Sequence, residues 1–122
     1  MDLSFRIEDG LVDAETYAVA PHGELDVATV RELKAALDRA IESGKRFVVL
    51  DLGEVWFLDA SILRVLLRAH WRLEDRGGSF LTVCSDPLVA RVFEITGLLD
   101  ILSVTSSTRE ALSRAEHFAP AA

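Results

Sequence analysis

The sequence has a single cysteine, Cys84, so no internal disulfide staples it and no cysteine-built zinc site organises it. Cys84 ends an apolar run and reads as a small core residue before it reads as a redox thiol. Basic residues are outnumbered, 13 against 20, and the net charge of -7 opposes direct contact with the phosphates of a nucleic acid. No apolar run approaches the roughly 20 residues of a membrane span. Met1-Asp2-Leu3-Ser4 also lacks the basic start and apolar continuation of a secretion signal, so the expected location is cytoplasmic, without membrane insertion.

Convergent chemistry is missing too. His22, His70 and His117 do not stand at metal-ligand spacings, and the glycines form neither a phosphate loop nor a dinucleotide fingerprint. Ser61 lies outside any G-x-S-x-G arrangement, and no base is adjacent to activate it. Neither an enzyme nor a cofactor is expected.

What is present is an ordinary globular composition, half apolar and 27% charged over 122 residues. That length builds one core without staples, so residues 1-122 are read as one domain, with the core over about 5-115 and a short flexible tail at Ala119-Ala122. Phe5-Arg6-Ile7 reads as a short edge strand turned at Glu8-Asp9-Gly10. Thr16-Ala20 reads as a second strand, punctuated by Pro21-His22-Gly23 and possible to continue at Glu24-Leu25. Asp26 is the expected cap of a helix whose Val30, Leu33, Leu37 and Ile41 share one face, and Ser43-Gly44 ends it.

Phe47-Leu52 is nearly continuously apolar, the pattern of a central strand covered on both faces. Phe80-Cys84 is a further strand. Asp86-Pro87 starts a helix with Leu88, Val92 and Phe93 inward, and Gly97 closes it. Asp100-Val104 reads as a last edge strand, and Ser107-Thr108-Arg109-Glu110 as the capping box of a helix containing Ala111, Leu112 and Ala115. Trp56 and Trp71 are expected in the core or at its boundary. The alternation of strands and helices predicts an α/β fold with a mostly parallel or mixed sheet.

Between these elements lies Val55-Trp56-Phe57-Leu58-Asp59-Ala60-Ser61-Ile62-Leu63-Arg64, where a buried strand hands over to a helix carrying Ile62, Leu63, Leu66, Leu67 and Leu73 and stopped by Gly77-Gly78. Asp59 is a good N-cap, and Ser61 then falls in the first turn, near the positive end of the helix dipole, where an added anion is tolerated.

Asp59, Ala60, Ser61, Leu63 and Leu66, together with Gly23-Glu24-Leu25-Asp26 and the following Val27-Ala28-Thr29, resemble the motifs of STAS domains of bacterial anti-sigma-factor antagonists. Ile62 stands where that pattern usually has Gly. The resemblance covers roughly residues 5-115 and implies a small mixed sheet with helices mainly on one face. It implies phosphorylation at Ser61 by an anti-sigma factor with serine kinase activity, reversed by a serine phosphatase. A partner-binding surface of Asp26, Asp59, Ala60, Ser61, Ile62 and Arg64 goes with it.

Phosphate beside Asp59 would weaken docking by like-charge repulsion. For Ile62 the alternatives are a hydrophobic anchor for a partner, an impediment to the kinase, or a core-facing residue. Arg64 is a candidate to pair with a nearby carboxylate or with the phosphate. The alternative function is a phosphorylation-independent STAS adaptor, a subunit of a signalling or lipid-transport assembly.

Overall fold

The computed structural model describes residues 5-118. The expected tail at Ala119-Ala122 lies outside them. The elements in chain order are β1 (Arg6–Leu11), β2 (Thr16–Leu25), α1 (Val30–Glu42), β3 (Phe47–Asp51), β4 (Glu54–Leu58), a 3-10 turn (Ala60–Ile62), α2 (Leu63–Glu74), β5 (Ser79–Val83), α3 (Pro87–Ile95), β6 (Val104–Thr105) and α4 (Thr108–Phe118). They form one mixed six-stranded sheet. The path runs β1-β2-β3-β5-β6, antiparallel only at β1-β2, and β4 pairs with β2 in parallel beyond the end of β3.

β3 is the central strand, and its alternation divides the core. Val48 and Leu50 join Leu33, Leu37, Ile62, Leu66 and Phe93 on the face covered by α1, α2 and α3. Phe47 and Val49 join Leu81, Val83, Ala111 and Ala115 on the face covered by α4. Three helices on one side and one on the other is the expected arrangement, because a strand apolar on both faces must be covered twice.

Several local expectations are corrected. Glu8-Asp9-Gly10 is not a turn: β1 runs through it, in register with Ala18–Ala20 of β2, and the chain reverses later, where the Val12 N–H donates to the Thr16 carbonyl. Pro21-His22-Gly23 does not interrupt β2 either. The ladder to β3 ends at Val19 and that to β4 begins at His22, so Pro21 occupies a gap where that edge needs no donor. Beside Gly23, at φ +118°, the β2–β4 register slips by one residue: Gly23 pairs with Val55 and Glu24 with Phe57, so the bulged residue is Trp56 of β4. In α3 the Asp86 cap and Pro87 fix the helical phase so that Val89 and Phe93 point inward, leaving Leu88 76% exposed.

The last strand shrinks to Val104–Thr105, because residues 99-103 form turns, with Ser103 in a left-handed conformation at φ 50°. In the capping box the Glu110 N–H donates to Ser107 Oγ at 3.1 Å, but the Glu110 carboxylate reaches back to Ser106.

One polar cluster ties the first strand pair to α1. The Asp9 carboxylate accepts from Tyr17 and, at 3.1 and 3.0 Å, from Nε and Nη2 of Arg39. The Arg39 hydrogen bond, reinforced by Tyr17, holds the Asp9 carboxyl below its usual range against partial burial. A carboxyl depressed on folding contributes stability above its unfolded pKa, about 3.9 for Asp, and loses it as pH falls through the lower folded value. Asp9→Asn should therefore be less stable than the parent at pH 7, and the gap in urea midpoints should narrow as pH is lowered below about 4. A gap independent of pH would disprove an ionic contribution at this position.

Candidate functional site

The site is built at the carboxyl end of two neighbouring strands. Leu25 of β2 and Leu58 of β4 are register partners, and the Asp59 N–H donates to the Leu25 carbonyl at 2.9 Å. The loops beginning at Asp26 and Asp59 therefore leave the sheet side by side.

Asp26 does not cap α1. That helix starts at Val30 with Thr29 at its N-cap position. Asp26 instead closes the preceding turn: its carboxylate accepts from the Ala28 N–H at 2.9 Å, and its own N–H donates to Thr29 Oγ1 at 3.0 Å. The Thr29 hydroxyl donates in turn to the Glu24 carbonyl at 2.9 Å. Turn formation by Asp and Thr competes with helix initiation and delays the helix by one turn. The second Asp26 carboxylate oxygen has no protein donor among these bonds.

Asp59 does cap. Its backbone is extended, at φ -80° and ψ 141°, and its carboxylate accepts from the Ser61 N–H at 2.8 Å. That bond, with help from the Ser61 hydroxyl, holds the Asp59 carboxyl below its usual range. The capped segment is the 3-10 turn, which passes directly into α2. Ser61 and Ala60 are exposed at this mouth, and Arg64 is exposed at the second position of α2.

Ile62 behaves differently from its neighbours. Its side chain is 0% exposed and packed in the main core, which matches the core-facing alternative and leaves no atom for a docking partner. The site thus gathers Asp26, Asp59, Ala60 and Ser61 at one surface, with Arg64 at its border and Ile62 beneath.

The sequence reading missed the aromatic wall. Trp56 is 53% exposed and Phe57 48%, so neither Trp56 nor the strand carrying it is buried; Val55 and Leu58 alone turn inward. Trp71, 55% exposed, is not a core residue either. The consecutive Trp56-Phe57 pair held a signal, since two adjacent strand residues cannot both face one core. Trp56 lines a cavity of about 380 Å³ with Gly23, Glu24 and Asp26, and its indole Nε1–H donates to Glu24 at 3.2 Å. Val27, 75% exposed, lies in the turn that Asp26 closes.

The STAS domain model matches residues 10–111. The chain belongs to the STAS domain family. BtrV of Bordetella bronchiseptica, a candidate anti-sigma factor antagonist, is 37% identical over 93 residues, covering 76% of this chain and 79% of BtrV. The crystal structure of an anti-sigma factor antagonist from Mycobacterium paratuberculosis superposes with a TM-score of 0.79 at 25% identity, over 93% of each chain.

The Bacillus anti-sigma factor antagonist SpoIIAA matches in its unphosphorylated form with a TM-score of 0.70, at 25% identity over 96% of this chain and 100% of SpoIIAA. Its phosphorylated form matches at 0.62, with 26% identity over 92% and 99%. These relatives of the STAS domain are named as anti-sigma factor antagonists, and the mixed sheet is shared with their solved structures. No described helix of the domain is long and apolar enough to cross a membrane.

Proposed function

We propose that this STAS domain is an anti-sigma factor antagonist that acts by docking rather than by turnover. It binds an anti-sigma factor through the surface formed by the Asp26 and Asp59 loops, frees a sigma factor, and so regulates transcription without touching DNA. The observation that carries this reading is the pairing of Leu25 with Leu58, which sets two carboxylates and an exposed hydroxyl on one rigid rim.

Ser61 is the phosphoacceptor in this scheme. The partner's kinase activity supplies ATP, magnesium and the base; the serine oxygen attacks the γ-phosphorus, its proton passes to that base, and ADP leaves. A phosphate there adds about -1.5 to -2 charge next to Asp59, and repulsion plus desolvation weaken docking. The turn at the start of α2 tolerates the anion, so the fold is retained. A serine phosphatase resets the switch. SpoIIAA, which resembles this domain in both its phosphorylated and its unphosphorylated form, supports that economy.

A second reading has its own observation. Ile62 fills from the core the position where the STAS pattern usually has Gly, so the mouth that presents Ser61 departs from the pattern that goes with the kinase. This favours docking without phosphate, as in an adaptor subunit of a signalling or lipid-transport assembly.

Incubation with purified anti-sigma factors and ATP, followed by intact mass and binding assays, separates the two. The switch requires one added phosphate in the parent, none in Ser61→Ala, undiminished binding by Ser61→Ala, and affinity lowered about tenfold or more in Ser61→Glu. Equal binding by both variants with no mass change establishes the adaptor reading. Failure of every anti-sigma factor to bind the parent removes the antagonist function itself.

A further inference from the structure

The outer surface of the α1–α2 pair is charged against the trend of the chain. Arg31 and Lys34 stand three residues apart on α1, and Arg64, Arg68 and Arg72 stand four apart on α2; all five are exposed. These two rows meet at the helix contact, where Lys34, Asp38, Arg68 and Arg72 line one cleft. Five of the 13 basic residues of a chain with net charge -7 are thus on one face.

One carboxylate answers them. Asp38 accepts from Arg72 Nη1 at 2.7 Å and from Lys34 Nζ at 3.2 Å. Among the described residues Arg64 and Arg68 take part in no ion pair. Like charges four residues apart on a helix repel, so the Arg64-Arg68-Arg72 row is unfavourable for the free protein. A merely solvated row on α2 would intersperse acidic residues at this spacing, as Asp38 does after Lys34 on α1 and Glu110 before Arg114 on α4.

The row also begins at the candidate docking surface. Arg64 follows Ser61 by three residues, on the same side of the chain as it enters α2. We propose that the α1–α2 face is a second half of the docking surface, and that it receives an acidic segment of the anti-sigma factor. This rests on the antagonist reading and supplies the chemistry of its partner. The partner is expected to carry carboxylates facing the Arg64-Arg68 row. A protein is favoured over a nucleic acid because the net charge of -7 opposes a long polyanion that runs past the basic face, whereas a short acidic segment can be confined to it.

The test uses the full chain with Arg64→Glu and Arg68→Glu combined, and Arg91→Glu with Arg109→Glu as a control of equal charge change elsewhere. With a purified anti-sigma factor that binds the parent, the first pair should lower affinity about 30-fold or more and reduce its dependence on NaCl, while the control changes it less than about threefold. The urea midpoint of the first pair should be unchanged or raised, because repulsion along α2 is relieved. Equal losses in both pairs, or none in either, overturn the proposal and leave the antagonist reading standing.

Labelled poly-L-glutamate gives an arm that needs no anti-sigma factor. It should bind the parent about tenfold more tightly than the Arg64/Arg68 variant at low salt. No difference overturns the proposal, as does arginine-dependent binding of duplex DNA or of phosphatidylserine vesicles in preference to polyglutamate.

Discussion

Ile62→Gly should destabilise the domain by about 4 kcal/mol, nearly the whole stability of many small domains. The side chain is 0% exposed and shares a core with Leu33, Leu66 and Phe93. Removing it forfeits roughly 2 to 3 kcal/mol of apolar transfer and leaves a cavity that the flanking helices cannot close without losing their own contacts. Glycine adds about 1 kcal/mol in backbone entropy at the entry to α2. Ile62→Val, which deletes one methylene, should cost only about 1 kcal/mol.

Urea denaturation followed by far-UV circular dichroism measures both. A loss under about 1 kcal/mol for Ile62→Gly would mean that the side chain is not in the core. The STAS pattern that this chain resembles usually has glycine at this position. In this chain the Ile62 side chain is packed in the core beneath the turn, so the departure is explained by packing rather than by a partner.

The contrast between Ile62 and Trp56 shows where sequence periodicity succeeds and where it stops. Phe47–Leu50 could be read as a doubly covered central strand because no other placement removes four consecutive apolar side chains from water. The inward faces of α1 and α2 followed from three- and four-residue spacing for the same reason. Turn propensity was a poorer guide. Gly10 and Pro21 look like breaks until the neighbouring strands are known, since the cost of each depends on which hydrogen bond it forgoes. Asp26 and Asp59 carry the same capping chemistry, yet Thr29 diverts the first into a turn. The alternation of β4 is broken by the bulge at Trp56, which leaves Trp56 and Phe57 both outward between inward Val55 and Leu58.

Trp56→Ala should lower affinity for the anti-sigma factor by at least about 2 kcal/mol, roughly 30-fold, and lower the urea midpoint less than Ile62→Gly does. The indole is half in solvent, so its removal withdraws about half the area that a core Trp would bury. It is nevertheless held in place: Nε1–H is bonded to Glu24, and the ring edge lies against the backbone at Gly23. A large apolar side chain ordered before binding loses little entropy when covered, which is the usual condition of an interface anchor. Its flanks, Glu24 and Asp26, line the same cavity and give the rim a polar character suited to excluding water around a buried centre. Trp56→Phe, which keeps the ring but loses the bond to Glu24, should fall between parent and alanine variant. Binding by Trp56→Ala within about twofold of the parent would place the docking surface elsewhere, since an interface centred on the Asp26 and Asp59 loops must cover this ring.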